Sequence, residues 1–411
     1  MAIDLCRWPG NSATMTTADF IVIGGGIAGL SAGAALALHG RTIVLEAEEA
    51  VGYHSSGRSA TFAHYGIGDR TVRGLTSYSR RFFLDPPEGF ADVPLARAAG
   101  ALFIAREETV PELDALEADM RRFTDTVSRL SEAEMQAICP ILRTGPGAVV
   151  AGVFDSGGLK LDADAFLQGY ARQVRAGGEL RTGAQVTAIR RAGPDWEVEA
   201  GGERLAAPVV VNAAGAWADR IGTLGGVRPL GLEPLRRTII VVDPPPGMDV
   251  SGWPFIKTAT SEFYMLPEAG RLMASPVDEV PDDPGDAQPE EYDLALAAWR
   301  LEEYTTLSVS RIAHRWAGLR TFTADRVPTA GFAPDAPGFF WLAGQGGYGL
   351  QTAPAMAAIA ASLVTGAEWS AELTELGVAP EQIRPERLIT SGEGCAQVEP
   401  SPQRKLGSKR P

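Results

Sequence analysis

Three glycines and one acid near the start of the chain have the types and spacing of a phosphate-binding turn. Gly24, Gly26 and Gly29 form the pattern Gly-x-Gly-x-x-Gly, and Glu46 ends the next apolar run. The first glycine permits a tight turn, the second lets backbone approach a pyrophosphate, and the third lets a helix pack closely on a strand. An acid placed like Glu46 accepts hydrogen bonds from ribose hydroxyls. We therefore expect a bound dinucleotide; an ordinary glycine-rich turn is the alternative.

A second glycine-rich string, residues 344–349, also follows an apolar run and precedes a helix-prone stretch. A second nucleotide site would need a further strand ending in an acid, and none follows. The free N–H groups and positive dipole of a helix N-terminus would instead stabilise negative charge on a reduced flavin ring. The string therefore favours a flavin over a nicotinamide; a loop that only permits close packing is the alternative.

The elements around the first motif are those of a βαβ unit. The apolar runs Phe20–Ile23 and Thr42–Leu45 are typical of buried strands, and residues 30–39 between them favour a helix that Gly40 ends. A membrane helix over residues 20–38 is rejected, because glycines interrupt the stretch and its first residues favour a strand.

Later segments predict a second, β-rich region and then a return to the first pattern. The predicted helices are residues 164–175, 292–305 and 352–364; the predicted strands are residues 185–191, 196–200, 208–212, 236–242 and 339–343; and residues 278–289, acidic and proline-rich, are predicted as a surface loop. Since the side chains of adjacent residues in an extended segment point to opposite faces, only one of Arg236 and Arg237 can enter a pocket.

This order predicts an α/β (α+β) two-domain protein whose Rossmann-type domain is assembled from discontinuous segments. We expect a cofactor domain over residues 18–97, 155–227 and 325–385, and a β-rich substrate domain over residues 98–154 and 228–324. Residues 1–17 and 386–411 are predicted to be a disordered leader and tail, with Met15 as an alternative start.

Composition excludes several classes of protein. The 411-residue chain has a formal charge of −14, which disfavours nucleic acid and anionic lipid as partners. Its three cysteines, Cys6, Cys139 and Cys395, form no CxxC pair, so a reducing compartment fits. The four histidines form no metal-binding pattern, and no metal is expected.

In combination, three strings resemble the D-amino acid oxidase superfamily of flavoproteins: residues 24–46, 211–217 (VNAAGAW) and 344–351. The similarity spans roughly residues 18–385. Within the superfamily, residues 52–60 (GYHSSGRSA), 316–320 (WAGLR) and 345–349 (QGGYG) are most similar to the D-arginine dehydrogenase group.

The resemblance implies non-covalent FAD and a set of residues around it. These residues are Gly24, Gly26, Ile27, Ala28, Gly29, Glu46, Ala47, Arg58, Ser59, Ala60, Val186, Ala214, Gly215, Trp217, Gly344, Gly346, Gly347, Tyr348, Gly349 and Gln351.

The resemblance also implies a substrate site. Because arginine binds both oxygens of a carboxylate, Arg320 is expected to hold the substrate carboxylate, with Arg237 as its second contact and Tyr264 as a further catalytic-site residue. A surface ion pair for Arg320 and a sheet aromatic for Tyr264 are the alternatives. The expected substrate-binding residues are Gly347, Gln351, Lys257, His64 and Ala101.

Several positions depart from the arginine-preferring pattern. Ala101 and Ser261 stand where acids are expected, and Ile67 and Phe62 stand where a lid tyrosine and a flavin-side histidine are expected. Lys257 replaces an apolar residue and would repel a cationic side chain, although a lysine exposed to solvent is the common case.

These features predict FAD-dependent oxidative deamination of a D-amino acid with a neutral or acidic side chain. A hydride would pass from Cα to flavin N5, and the imino acid would hydrolyse to a 2-oxo acid and ammonia. Oxidation of a secondary amine such as sarcosine, glycine, proline or an opine is the main alternative, and a non-catalytic dinucleotide-binding protein is the second. The expected partners are an amino acid and an electron acceptor (quinone, other carrier or oxygen), without nucleic acid or a membrane span. The expected location is cytoplasmic, with peripheral membrane contact through the acceptor as an alternative.

Overall fold

A computed structural model describes residues 15–389. The strands in chain order are β1 (Thr16–Thr17), β2 (Phe20–Ile23), β3 (Thr42–Leu45), β4 (Phe62–Ala63), β5 (Ala96–Ala98), β6 (Ala101–Ala105), β7 (Val127–Leu130), β8 (Ala151–Asp155), β9 (Leu159–Leu161), β10 (Glu179–Arg181), β11 (Val186–Ala192), β12 (Asp195–Ala200), β13 (Glu203–Ala207), β14 (Val209–Asn212), β15 (Glu233–Val242), β16 (Phe255–Thr258), β17 (Tyr264–Glu268), β18 (Arg271–Ser275), β19 (Val280–Pro281), β20 (His314–Phe322), β21 (Thr329–Phe332) and β22 (Phe339–Ala343).

The α-helices are α1 (Ile27–Leu36), α2 (Arg70–Leu84), α3 (Val110–Met120), α4 (Glu132–Ile138), α5 (Ala163–Gly177), α6 (Ala218–Leu224), α7 (Glu291–Tyr304), α8 (Gly349–Thr365), α9 (Ala371–Glu375) and α10 (Pro380–Ile383). Short 3-10 helices cover Glu107–Thr109, Gly215–Trp217 and Pro385–Leu388. No helix within residues 15–389 is both long and apolar enough to cross a membrane.

A six-stranded sheet of order β10-β3-β2-β14-β22-β21 forms the first layer. Its strands are parallel except for β21, which runs antiparallel to β22. The apolar runs of β2, β3, β14 and β22 are largely buried on both faces, as a parallel sheet covered by helices requires. Because this sheet draws strands from distant parts of the chain, it confirms the predicted α/β fold with a Rossmann-type sheet built from discontinuous segments.

A nine-stranded, mainly antiparallel sheet forms the second layer, in the order β19-β15-β18-β17-β16-β6-β8-β7 with β20 paired to β15. One face packs on α7 through an apolar cluster that includes Ile240, Ile256 and Leu301. The opposite face carries Phe103, Phe255 and a different set of side chains. The division into a cofactor domain and a substrate domain at the predicted boundaries remains a proposal.

Some predicted boundaries need correction. Helices α1 and α8 begin at Ile27 and Gly349, inside their glycine-rich strings rather than after them, because glycine does not prevent a first helical turn. Thr16–Thr17, predicted to be disordered, pairs with β13. Arg387, in the predicted tail, forms an ion pair with Asp325. Residues 1–14 and 390–411 of the predicted leader and tail, including Cys6 and Cys395, lie outside the described residues.

The predicted surface loop 278–289 is also partly wrong. It contains β19, which pairs with β15, and the Asp278 side chain is buried. That carboxylate accepts hydrogen bonds from Thr238 N at 2.7 and 3.0 Å, so it is tied to the middle of the sheet.

Arg236 is one of the two adjacent arginines on β15, and it points towards α7. Its guanidinium forms ion pairs with Asp293 at 3.1 Å, Asp282 at 3.1 Å and Glu290 at 3.0 Å. Arg236 and Asp293 are both buried. Arg236 therefore points to the face of β15 opposite Arg237, as the alternation of side chains along a strand predicts.

Replacing Arg236 by Met should lower the free energy of unfolding by about 3–5 kcal/mol, because it leaves the buried Asp293 carboxylate without its cation. Arg271→Met is the matched control, since Arg271 pairs with Asp243 at the surface and its loss should change stability by less than about 1 kcal/mol. Urea unfolding followed by tryptophan fluorescence measures both; equal losses in the two variants would contradict the buried network.

Candidate active site

The carboxyl ends of β2, β3 and β14 open into a cleft with a volume of about 440 Å³. Ligands of open α/β sheets bind at this edge of the strands. The cleft continues past the N-terminal ends of α1 and α8 to β20, where Leu319, Arg320 and Thr321 line it. It therefore connects the six-stranded sheet with the nine-stranded sheet.

The first glycine motif needs glycine at two positions for steric reasons. Gly24 has a φ of +115°, and an added Cβ would lie 2.4 Å from Ala213 O. An added Cβ at Gly29 would lie 1.8 Å from Gly24 O. The motif thus brings β2, β14 and the start of α1 within backbone contact, which leaves the helix N-terminus open to the cleft.

Glu46 leaves the end of β3 and turns back over the glycine motif. One carboxylate oxygen accepts a hydrogen bond from Gly25 N at 2.6 Å and the other accepts one from Glu48 N at 2.9 Å. Each oxygen retains a further lone pair for an additional donor. Glu46 lines the cleft and is oriented by backbone before any ligand binds.

The structure brings most of the predicted cofactor residues together around the cleft. Those that line it are Gly24, Gly26, Ile27, Ala28, Glu46, Ala47, Ser59, Val186, Ala214, Gly215, Trp217, Gly346, Gly347 and Gly349. Those that do not are Gly29, Arg58, Ala60, Gly344, Tyr348 and Gln351.

The polar side chains of the second group bind elsewhere. Arg58 forms an ion pair with Asp286 at 2.5 Å. The Tyr348 hydroxyl donates to Arg326 O. Gln351, one turn into α8, donates to Thr76 on α2 at 2.8 Å, which turns its amide away from the cleft.

Polar residues that sequence reasoning missed also line the cleft, Ser56 and Gln345 among them. Ser56 Oγ accepts a hydrogen bond from Ile27 N at 3.0 Å, at the first turn of α1. Gln345 lies before α8, and its Nε2 atom is buried without a hydrogen-bond partner. Both residues stand inside the strings that carried the resemblance, so their polarity within glycine-rich segments was the available signal.

Five of the predicted catalytic and substrate residues share one face of the nine-stranded sheet: Arg320, Arg237, Tyr264, Lys257 and Ala101. Leu235 pairs directly with Arg320, so Arg237, two residues along β15, lies on the same face as Arg320. Tyr264 and Lys257 are directly opposite each other on β17 and β16. Further along this face, Ala101 is opposite Phe255.

Arg320 is buried but has no acidic partner within 4 Å among residues 15–389. Its guanidinium is 3.4 Å from two carbonyl oxygens, those of Ser55 and Arg58. Burial lowers the pKa of Arg320 to about 10, which reflects the cost of holding its charge away from water. It lines the cleft, so an anion bound there would be its natural counter-ion.

Arg237 differs from Arg320 because acidic residues already surround it. Its Nη2 donates to Glu279 at 3.1 Å and its Nε donates to Asp278 O at 2.9 Å. Arg237 does not line the cleft. Its position on the face of Arg320 agrees with the prediction, but Glu279 already balances its charge.

Tyr264 and Lys257 are both buried. The Tyr264 hydroxyl makes no hydrogen bond to any residue of the described chain. Lys257 Nζ donates to Gly66 O at 3.2 Å. Burial, followed by the repulsion of Arg237 and Arg73, lowers the pKa of Lys257 to about 8.

His64 packs over this face, with its ring centroid 5.0 Å from that of Phe255 and 5.4 Å from that of Phe103. Its Nδ1 accepts a hydrogen bond from Gly66 N at 3.0 Å. Burial lowers its pKa well below the usual value, so the ring is neutral. Neither His64 nor Ala101 lines the cleft; both lie behind it.

The donors and shape of the cleft fit FAD. Glu46 and the open N-terminus of α1 suit a ribose and a pyrophosphate, and the orphaned Gln345 amide suits a polar ring edge. Within residues 15–389 no group of three or more His, Cys, Asp or Glu side chains could hold a metal ion.

Comparison with known proteins agrees with this geometry. Residues 19–363 match the profile of the DAO family, described as FAD dependent oxidoreductase. The chain belongs to the DAO family. FAD is therefore its cofactor.

Individual relatives are distant but cover most of the chain. "FAD-dependent oxidoreductase domain-containing protein 1" of Bos taurus is 25% identical, covering 84% of this chain and 81% of its own length. Glycine oxidase from Geobacillus kaustophilus is 22% identical with a TM-score of 0.76, covering 89% and 99%. FAD-bound L-alpha-glycerophosphate oxidase from Mycoplasma pneumoniae is 18% identical with a TM-score of 0.77, covering 87% and 96%.

Replacing Glu46 by Gln should raise the Kd for FAD about 10–100-fold, since a hydrogen bond to a charged acceptor contributes about 1.5–3 kcal/mol. Titration of the apoprotein with FAD, followed by flavin fluorescence, measures this. Glu49→Gln is the control, because Glu49 is exposed and does not line the cleft. An unchanged Kd in the Glu46 variant would exclude it from cofactor binding.

Proposed function

We propose that this protein oxidises the Cα–N bond of a small amino acid and that Arg320 binds the substrate carboxylate. The preferred substrate in this proposal is a D-amino acid. The observation that carries the proposal is a buried guanidinium at the cleft that lacks an acid. A carboxylate would restore charge balance and accept two parallel hydrogen bonds from the guanidinium. The D configuration and the kinship with the D-arginine dehydrogenase group rest on the sequence resemblance.

In this proposal the protein binds and orients the substrate. Arg320 fixes the carboxylate, and Tyr264, on the same face, has a free hydroxyl for a second hydrogen bond to it. Arg237 maintains positive potential beside Arg320, while Glu279 and Asp278 fix its guanidinium. Such fixed orientation contributes several orders of magnitude to a rate.

The proposed reaction removes a hydride from Cα and a proton from nitrogen, and it leaves an imine. Water then converts the imine to a 2-oxo acid and ammonium. FAD, when bound, supplies the two-electron acceptor for the hydride. A quinone, another carrier or oxygen then takes the electrons.

The sheet face behind the cleft disfavours D-arginine. Ala101 offers no acid to a guanidinium, and Lys257 adds a buried positive charge on the same face. A substrate with a neutral or acidic side chain fits this electrostatic environment better.

Oxidation of a secondary amine is the second candidate, because it uses the same carboxylate contact. L-proline dehydrogenase from P. horikoshii and iminodiacetate oxidase from Chelativorans sp. BNC1 share the fold. Their names describe substrates in which nitrogen carries two carbon substituents.

Anaerobic mixing of the holoenzyme with a panel of compounds tests the proposal. We expect loss of flavin absorbance near 450 nm with D-amino acids and little change with D-arginine. The panel includes L-amino acids, sarcosine, proline and sn-glycerol-3-phosphate, and admitted oxygen then scores reoxidation. Bleaching by secondary amines alone would select the second candidate, and bleaching by none of the amines would reject both.

Replacing Arg320 by Met should lower kcat/KM about 10²–10³-fold, because a buried charge-assisted contact to the carboxylate is lost. The same change should leave the Tm of the substrate-free protein equal or higher, because it removes an uncompensated buried charge. Arg315→Met, an exposed position on the same strand, is the control. A large fall in Tm with unchanged kcat/KM would show a structural role instead.

A further inference from the structure

Five arginine and lysine side chains are buried in the described chain: Arg73, Arg236, Arg237, Lys257 and Arg320. Three of them have acidic partners. Arg73 pairs with Asp119, Arg236 with Asp293 among others, and Arg237 with Glu279. Lys257 and Arg320 are the two that have no acid within 4 Å among residues 15–389.

These two unbalanced cations occupy the same face of the nine-stranded sheet. Arg320 shares that face with Arg237, and Lys257 shares it with Tyr264 across one cross-strand pair. Ile239 and Met273 belong to the same apolar face between them. The face therefore presents positive charge at two separated places with apolar surface between.

The contact that Lys257 does make does not neutralise it. Gly66 O is a neutral acceptor, and the ammonium has three donors, so two remain unused. Lys160 shows the contrast, because it also donates to a carbonyl, Ala60 O at 2.9 Å, but pairs with Glu268 at 2.5 Å as well. A buried ammonium without such an acid calls for an anion from outside the chain.

The segment that Lys257 contacts lies at the substrate end of the cleft. Residues 64–68 run between the sheet face and the loop before α8: a Cβ at Gly66 would meet the Phe103 ring, and one at Gly347 would lie 3.8 Å from Ile67. Gly347 itself lines the cleft. Neither Lys257 nor Tyr264 lines the cleft itself, and residues 64–68 lie between the Lys257 ammonium and the cleft.

We propose that the substrate carries two carboxylates, and that Lys257 binds the second while Arg320 and the Tyr264 hydroxyl bind the first. The substrate class is then a dicarboxylic amino acid, such as aspartate or glutamate, or an N-linked dicarboxylate. This inference rests on the proposed function and narrows it. It assigns Lys257 a role in specificity rather than in the oxidation step.

The test compares dicarboxylic and monocarboxylic substrates in wild-type protein and in Lys257→Met. In wild-type protein we expect kcat/KM for glutamate or aspartate to exceed that for norvaline or alanine of the same configuration. In the variant, KM for the dicarboxylates should rise about 10–100-fold, because a charge-assisted contact is lost. The kcat/KM for the monocarboxylates, which have no second carboxylate, should fall by a clearly smaller factor than that for the dicarboxylates.

A binding measurement that needs no turnover accompanies the kinetics. Glutarate and butyrate lack an amino group, so they probe the anion sites alone. Glutarate should raise the Tm of the wild-type holoenzyme more than butyrate does, and Lys257→Met should abolish that difference. Lys257→Arg, which keeps the charge, should retain it.

The pH gives a second signature. Arg237 and Arg73 disfavour the charged lysine, Glu279 favours it, and neutral His64 lies beside it. Since the ammonium loses its proton as pH rises through about 8, the advantage of glutarate over butyrate should be full below that pH and decline above it. A lysine that only holds residues 64–68 in place would lower Tm on substitution and change all substrates alike.

The possible failures are distinguishable. Equal loss of dicarboxylate and monocarboxylate activity in Lys257→Met, or no preference for dicarboxylates in wild-type protein, overturns this inference and leaves the proposed oxidation intact. Absence of flavin bleaching with every amino acid and amine overturns the proposed function itself. Bleaching by sn-glycerol-3-phosphate in place of amines would overturn both the proposed function and the dicarboxylate inference. Arg320 and Lys257 would then be assigned to binding the phosphate.

Discussion

The arrangement of the site depends on a buried guanidinium that the protein itself does not neutralise. Arg320 is held by two long contacts to carbonyl oxygens, and burial lowers its pKa to about 10. The acids on this side are already committed: Glu279 pairs with Arg237, and the Asp278 carboxylate accepts hydrogen bonds from Thr238 N. Without a ligand, the Arg320 charge at the end of the cleft is uncompensated, which costs stability. The rest of the sheet must be rigid enough to hold the guanidinium in this position.

That rigidity comes from strand register. The long antiparallel pairing of β15 with β20 places Arg320 and Arg237 on one face and sends Arg236 to the other, where α7 supplies its acids. A shift of one residue that brings Leu235 to the position of Arg236 would leave the buried Asp293 carboxylate without its cation. The ion network behind the sheet therefore fixes the register that positions the arginine in front of it.

Local patterns in the sequence predicted much of the fold and of the cofactor cleft. Strands β2, β3 and β22 fall on continuous apolar runs. The spacing of Gly24 and Gly29 predicted the close backbone contacts that both residues make. Long-range pairing could not be predicted in this way. The acidic composition of residues 278–289 predicts an exposed polar loop, yet Asp278 is buried against β15. Likewise Gln351 follows the cleft motif by only two residues, but helical rotation turns it towards α2.

The charge of the whole molecule and the charge of the site have opposite signs. The chain carries −14, but Arg320 and Lys257 face one apolar surface without acids of their own. A negative exterior slows the approach of anions at long range, whereas a low-dielectric pocket strengthens attraction at short range. With this combination, selection among anionic ligands depends on the cost of removing them from water rather than on long-range electrostatic attraction. In the proposed site, an anion with two carboxylates placed opposite the two cations would recover the solvation that it loses on entry, so the spacing of the charges would select the substrate.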